Sequence, residues 1–242
     1  MDPLIANDCN PDSLFKPMKH FFFTLLAMLA LAAPMQARTI NWGGAAFDNL
    51  YTSYGSALDD SFTFELGTFG AFVPTELNQD QWLANWRVFD RATAANSGWT
   101  SSTGFFESSA NLNDNGTSSS PEANPLSTFA LGEQAYIWAF NTQQMTFGYT
   151  EWALITNNSS DGNSADNWTF PAPTDHSLTP LEWRVSLATN VPYGGLNSVE
   201  GPGGYTVNPV TFDLQTHSVV PEPGSALLVT ALGLIGLRRR RR

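Results

Sequence analysis

Apolar and polar residues alternate along the middle of the chain, and that alternation predicts strands. Phe62, Phe64 and Leu66 fall on one face with Thr63 and Glu65 on the other, and Leu181, Trp183, Val185 and Leu187 oppose Glu182, Arg184 and Ser186. A period of two is the spacing of a half-buried strand. Further short aromatic or β-branched runs lie at 39–42, 135–140, 145–149, 152–156, 168–170, 205–207 and 210–214, separated by Gly, Asn, Asp, Ser and Pro. About nine short strands of this kind predict a mainly β chain folded as a single jelly-roll-like β-sandwich. One segment breaks the period. Asn78 and Gln81 form a plausible N-cap pair, and Trp82, Asn85, Trp86 and Phe89 recur at three- and four-residue spacing. This predicts one short helix over 79–91 whose aromatic stripe packs on a sheet.

Two apolar runs stand outside that pattern. From Met18 the chain carries a basic start at Lys19, an apolar stretch from 21 to 33, Pro34, and a small residue at Ala37. The order is that of a signal peptide, 18–37, cleaved after Ala37 by the export machinery; the polar residues 1–17 ahead of it read as a dispensable leader. At the other end, Val220-Pro221-Glu222-Pro223-Gly224 precedes an apolar run, 225–237, and then Arg238, Arg239, Arg240, Arg241 and Arg242. Thirteen helical residues span roughly 20 Å, short of the ~30 Å hydrocarbon core. The arginines stay on the cytoplasmic side, and the two prolines prevent the helix from starting before Gly224.

In its three ordered parts, Pro221-Glu222-Pro223, apolar helix and arginine cluster, the tail 220–242 resembles the PEP-CTERM sorting domain of bacterial exported proteins. The resemblance implies an exosortase as partner, passage through the secretion translocon, transient insertion in the inner membrane, and a final place at the cell surface or outside the cell among exopolysaccharide. It covers the tail alone.

Charge narrows the partners of the domain between the two signals, 38–219. Four arginines and no lysine face eighteen carboxylates. This charge argues against nucleic acid and anionic lipid as partners, because binding phosphate requires clustered cations; cations and neutral glycans stay open. The single cysteine, Cys9, lies in the leader, so the domain has no thiol for disulfides, catalysis or metal binding.

Candidate chemistry is sparse. Asn111, Asn113, Asn115, Gly116 and Glu122 match the spacing of a calcium loop, with oxygen ligands at positions 1, 3 and 5, glycine at 6 and a carboxylate at 12. The competing reading is an Asn/Ser-rich surface turn. A second polar loop, 157–167, has a looser oxygen array. Asp175-His176-Ser177 holds the residue types of a hydrolytic triad, but adjacent residues do not present a relay geometry. Glu65, Glu133, Glu151 and Glu182 are candidates by type for a glycanase pair. Trp99 and Trp168, nearest to loop signals, are the candidates for stacking on sugar rings. The expectation is a non-catalytic surface or matrix protein, with a carbohydrate-binding module or a jelly-roll glycanase as alternatives.

Overall fold

Ala-Tyr-Ile-Trp-Ala-Phe at 135–140 contains no charged residue, and a strand of that composition must be covered on both faces. In the computed structural model, which describes residues 37–146, 148–159 and 166–219, these residues form β7 (Ala135–Phe140), and all six are buried. The strand is the centre of the main sheet. It pairs antiparallel with β3 (Thr63–Thr68) and β8 (Glu151–Thr156); β4 (Arg87–Ala92) extends the sheet beyond β3, and β10 (Asn190–Tyr193) and β14 (His217–Ser218) share the far edge of β8.

A second sheet runs β5 (Trp99–Thr100), β6 (Phe105–Leu112), β1 (Arg38–Gly43), β9 (Leu181–Arg184), with β1 antiparallel to β6 and parallel to β9. Its apolar side chains close on the inner face of the main sheet. Ile40, Trp42, Phe106 and Trp183 from this layer share one core with Phe64, Leu66, Phe89, Ile137 and Ile155. Phe64 and Phe106 join the layers directly, stacked with ring centroids 3.9 Å apart. The result is a two-layer sandwich, capped at one end by a small sheet of β12 (Val199–Glu200), β11 (Gly195–Leu196), β13 (Leu214–Gln215) and β2 (Leu50–Tyr51).

The outer face of the main sheet has its own apolar cluster. Tyr136, Trp138, Phe140, Trp152 and Leu154 project there and are covered by Phe69, Trp82 and Trp86. Trp82 stacks on Trp152 at 5.5 Å, and its indole N–H donates to Asn78 Oδ1 at 2.9 Å. The sheet is therefore buried on both sides, which corrects the expectation of half-buried strands: Glu65, placed on the polar face of β3 by its alternation, is completely buried.

The helix is also shorter than its periodicity predicts. A 3-10 turn, Glu76–Gln81, leads into α1 (Trp82–Asn85), and the backbone turns extended at Trp86 (ψ 131°) to enter β4. Its cap is Thr75, whose backbone N–H donates to Asn78 Oδ1. Val88 and Phe89 then point to opposite faces of the sheet, Val88 into the outer cluster and Phe89 into the inner core. Met145 and Tyr149 are exposed, with 148–149 in a turn, 185–187 form a 3-10 turn, and 205–207 no strand; β6, the longest strand among the described residues, had no alternation to announce it. No helix among the described residues is long and apolar enough to cross a membrane.

Candidate functional site

All eight tryptophans of the chain are buried. Trp99 is 2 % exposed, with its N–H donated to the Asp59 carbonyl and its ring against Phe64; Trp168 is 0 % exposed and lies beside Trp183. Neither offers a face to a sugar, so the expectation of stacking on Trp99 and Trp168 is corrected. Loop-type neighbours in sequence flank rings that the sandwich needs as core.

The calcium-loop residues do not form a ligand cage. Asn111 is in β6, and 113–116 make the tight turn of a hairpin, with Leu112 bridging to Ser118 and Gly116 at φ 79°. Asn111 Oδ1 accepts from the Thr39 hydroxyl, Asn115 Oδ1 accepts from the Thr117 N–H and hydroxyl, and Asn113 Nδ2 donates to Thr117. Glu122 lies 3.4 Å from Arg91. Among the described residues no group of three or more His, Cys, Asp or Glu comes together to hold a metal ion. The signal peptide up to residue 36 and the sorting residues Pro221, Glu222, Pro223 and Arg238 to Arg242 lie outside the described residues, as do 160–165 of the second polar loop; Ala37 is the first residue described.

The carboxylates proposed by type are committed elsewhere. Glu65 accepts from the indole N–H of Trp86 at 2.7 Å and the Gln143 amide at 2.9 Å, and pairs with Arg91 at 2.6 Å. Burial pushes its carboxyl above the ordinary glutamate range, against the opposing pull of Arg91 and the hydrogen bonds. Glu151, also buried, accepts from the Ser53 N–H, the Ser53 hydroxyl and the Thr216 hydroxyl. Glu133 pairs with Arg87, and Glu182 with Arg184 and Asn41. Asp175 faces Arg38 and not His176, so no relay forms at 175–177.

His217 is the residue whose position sequence missed most clearly. Adjacent to the sorting tail in sequence, it is completely buried in β14, with Nδ1 2.9 Å from the Pro202 carbonyl and Nε2 2.7 Å from Glu200. Tyr205 covers its ring at 5.0 Å. Two acceptors on one imidazole fix its orientation, which makes it a structural clamp for the 200–205 segment.

Open clefts are found among the described residues, two of them of similar size. One, about 300 Å³, lies between β4 and β6 and is lined by Arg91, Glu107, Glu122, Ser97, Ser108 and Ser120. Its charges have partners nearby: Arg91 meets Glu65 and Glu122, Glu107 lies 3.6 Å from Arg184, and Asp90 accepts from Trp42 and Ser120. The other, about 290 Å³, is lined by Phe47, Asp48, Tyr51, Trp99, Ser101 and Thr103 among others. Its wall is a loop after β1 tied to the 101–104 turn: Phe47 N–H donates to the Thr103 carbonyl at 2.8 Å, and Gly104 passes so close to Asp48 that a Cβ there would lie 2.3 Å from its carbonyl oxygen. Phe47 is 79 % exposed and sits at φ 70°. That left-handed backbone costs a bulky residue roughly 1–2 kcal/mol, and it raises the ring beside the cleft. Asp48 Oδ2 accepts the Ala45 N–H at 2.7 Å, while burial, reinforced by the neighbouring Asp213 carboxylate, lifts its carboxyl above the ordinary aspartate range despite that hydrogen bond.

Comparison with protein-family models, with curated proteins and with solved structures returned no match.

Proposed function

We propose that the chain is an exported, non-catalytic cell-surface or extracellular-matrix protein, carried out by its signal peptide and sorted by an exosortase through its C-terminal tail, in the company of exopolysaccharide. The observation that carries this reading is the ordered tail, Pro221-Glu222-Pro223, apolar run, Arg238 to Arg242. The domain's chemistry is in keeping with it. Glu65 and Glu151 are buried among hydrogen-bond donors, Glu133 and Glu182 face Arg87 and Arg184, and none of the four lines either cleft, so they offer no carboxylate pair to a glycan there. A jelly-roll-like strand order belongs to the same proposal; the parallel pairs β1 with β9 and β2 with β13 are its departures from an all-antiparallel roll.

Replacing Pro221, Glu222 and Pro223 together by alanine is expected to leave the protein unprocessed in the inner-membrane fraction, where the unaltered chain is found at the surface or in the medium. Unchanged processing and location in cell fractionation would end the sorting proposal.

A further inference from the structure

We infer that the cleft beside Phe47 is a binding subsite for a neutral saccharide, sized for about one pyranose ring of a longer chain. The choice of a polysaccharide setting rests on the proposed function, but the chemistry rests on the cleft alone. Its volume, about 290 Å³, is at the lower limit of small-molecule sites, which begin near ~300 Å³. The cleft is open to solvent.

The lining combines what a sugar requires. Phe47 presents an exposed ring, Tyr51 a second, half-buried one, and the apolar C–H face of a pyranose packs on such rings. Sugar hydroxyls need acceptors and donors close to that face. Asp48, Asn49, Ser101, Ser102 and Thr103 supply them. Asp48 spends Oδ2 on the Ala45 N–H, and its Oδ1 makes no hydrogen bond among the described residues. No Arg, Lys or His lines the cleft, and Asp60 and Asp213 flank it through Ser101 and Asn49. An anionic ligand is therefore repelled, and a neutral one is not.

The exposure of Phe47 also has no structural use. Its ring is outside both apolar clusters, and its backbone conformation is one that glycine adopts more easily. A residue kept for folding at this position would be Gly or Asn. The cleft between β4 and β6 differs on each count: it has no aromatic ring, its Arg91 faces Glu122, and its Glu107 faces Arg184 outside the lining.

The test is native gel electrophoresis of the full-length chain in mild detergent, in gels containing hydroxyethyl cellulose, dextran, galactomannan or no polysaccharide. Retardation is expected in at least one of the three. Phe47→Gly should weaken it about tenfold or more, with a melting temperature equal to or above that of the unaltered chain; Phe47→Asn, which also tolerates the left-handed backbone, should do the same. Three results would overturn the proposal: no retardation in any of the three gels, retardation unchanged in both variants, or sugar-independent self-association in sedimentation that Phe47→Gly abolishes, which would make the ring a contact between copies of the chain. Because binding is read on the purified chain, it stands or falls separately from processing in cells.

Discussion

Glu65 and Arg91 show how one residue pair ties the stability of the sheet to pH. Glu65 is completely buried at the centre of β3, while Arg91 on β4 is about one-third exposed, so the pair is a buried anion held by a partly solvated cation. Because burial raises the Glu65 carboxyl, the folded state holds its proton more tightly than the unfolded state. The stabilisation from that proton is complete below the unfolded value and is lost as pH rises through the folded one. Glu65→Gln should therefore remove a component of stability that declines as pH rises above the ordinary glutamate range, seen when chemical denaturation of the two proteins is compared from acid to neutral pH. Arg91→Ala leaves the carboxylate uncompensated and is expected to cost about 3–5 kcal/mol at neutral pH, and less in acid, where Glu65 takes up a proton.

At the scale of elements, the passage from α1 into β4 is where sequence and structure part. The spacing of Trp82, Asn85, Trp86 and Phe89 satisfied a helix, yet only Trp82–Asn85 is α-helical. Both tryptophans do lie on the same side, covering the outer face of the sheet, so the stripe was read correctly as packing and wrongly as one continuous helix. Val88 and Phe89 are adjacent apolar residues that a strand covered on both faces can bury, and the demand of the edge of β3 for a partner decides for the strand. The bulge between Leu66 and Gly67 makes this join possible. A Cβ on residue 67 would lie 2.3 Å from the Arg87 carbonyl oxygen and 2.7 Å from the Trp86 ring. Gly67→Ala should destabilise the protein by about 1–3 kcal/mol in urea denaturation, through overpacking between strands. The strands at 39–42, 135–140 and 152–156 were legible because their apolar character was strong. β6, Phe-Phe-Glu-Ser-Ser-Ala-Asn-Leu, was hidden because its serines and asparagines face solvent or hydrogen-bond to β1 and imitate a loop.

For the whole molecule, composition foretold the type of core better than it foretold the site. A domain without cysteine fills its interior with aromatic rings, and the fold uses all eight tryptophans for that purpose. The same fact removes the tryptophans on which a sugar site was expected. The cleft that remains is built on Phe47, a residue whose importance depends on a backbone angle and on the approach of the 101–104 turn, neither of which leaves a mark in residue order. Trp99 forms part of that cleft's wall and presents no stacking face to it.

The cap sheet joins the two ends of the domain. Leu214 pairs with Leu50, Gln215 with Tyr51, the Thr216 hydroxyl donates to Glu151, and the Val219 N–H to the Thr150 carbonyl. Contacts so distant in sequence form late and slowly, because a long loop must close before they can contribute. Closure must therefore wait until 214–219 are available. A chain ending at residue 211 should lack the cooperative thermal transition of the unaltered protein, as followed by circular dichroism. For a protein exported as proposed, this delay has a use. On that proposal the amino-terminal half would cross the membrane without the strands that lock it, and the domain would set only after its final segment had followed.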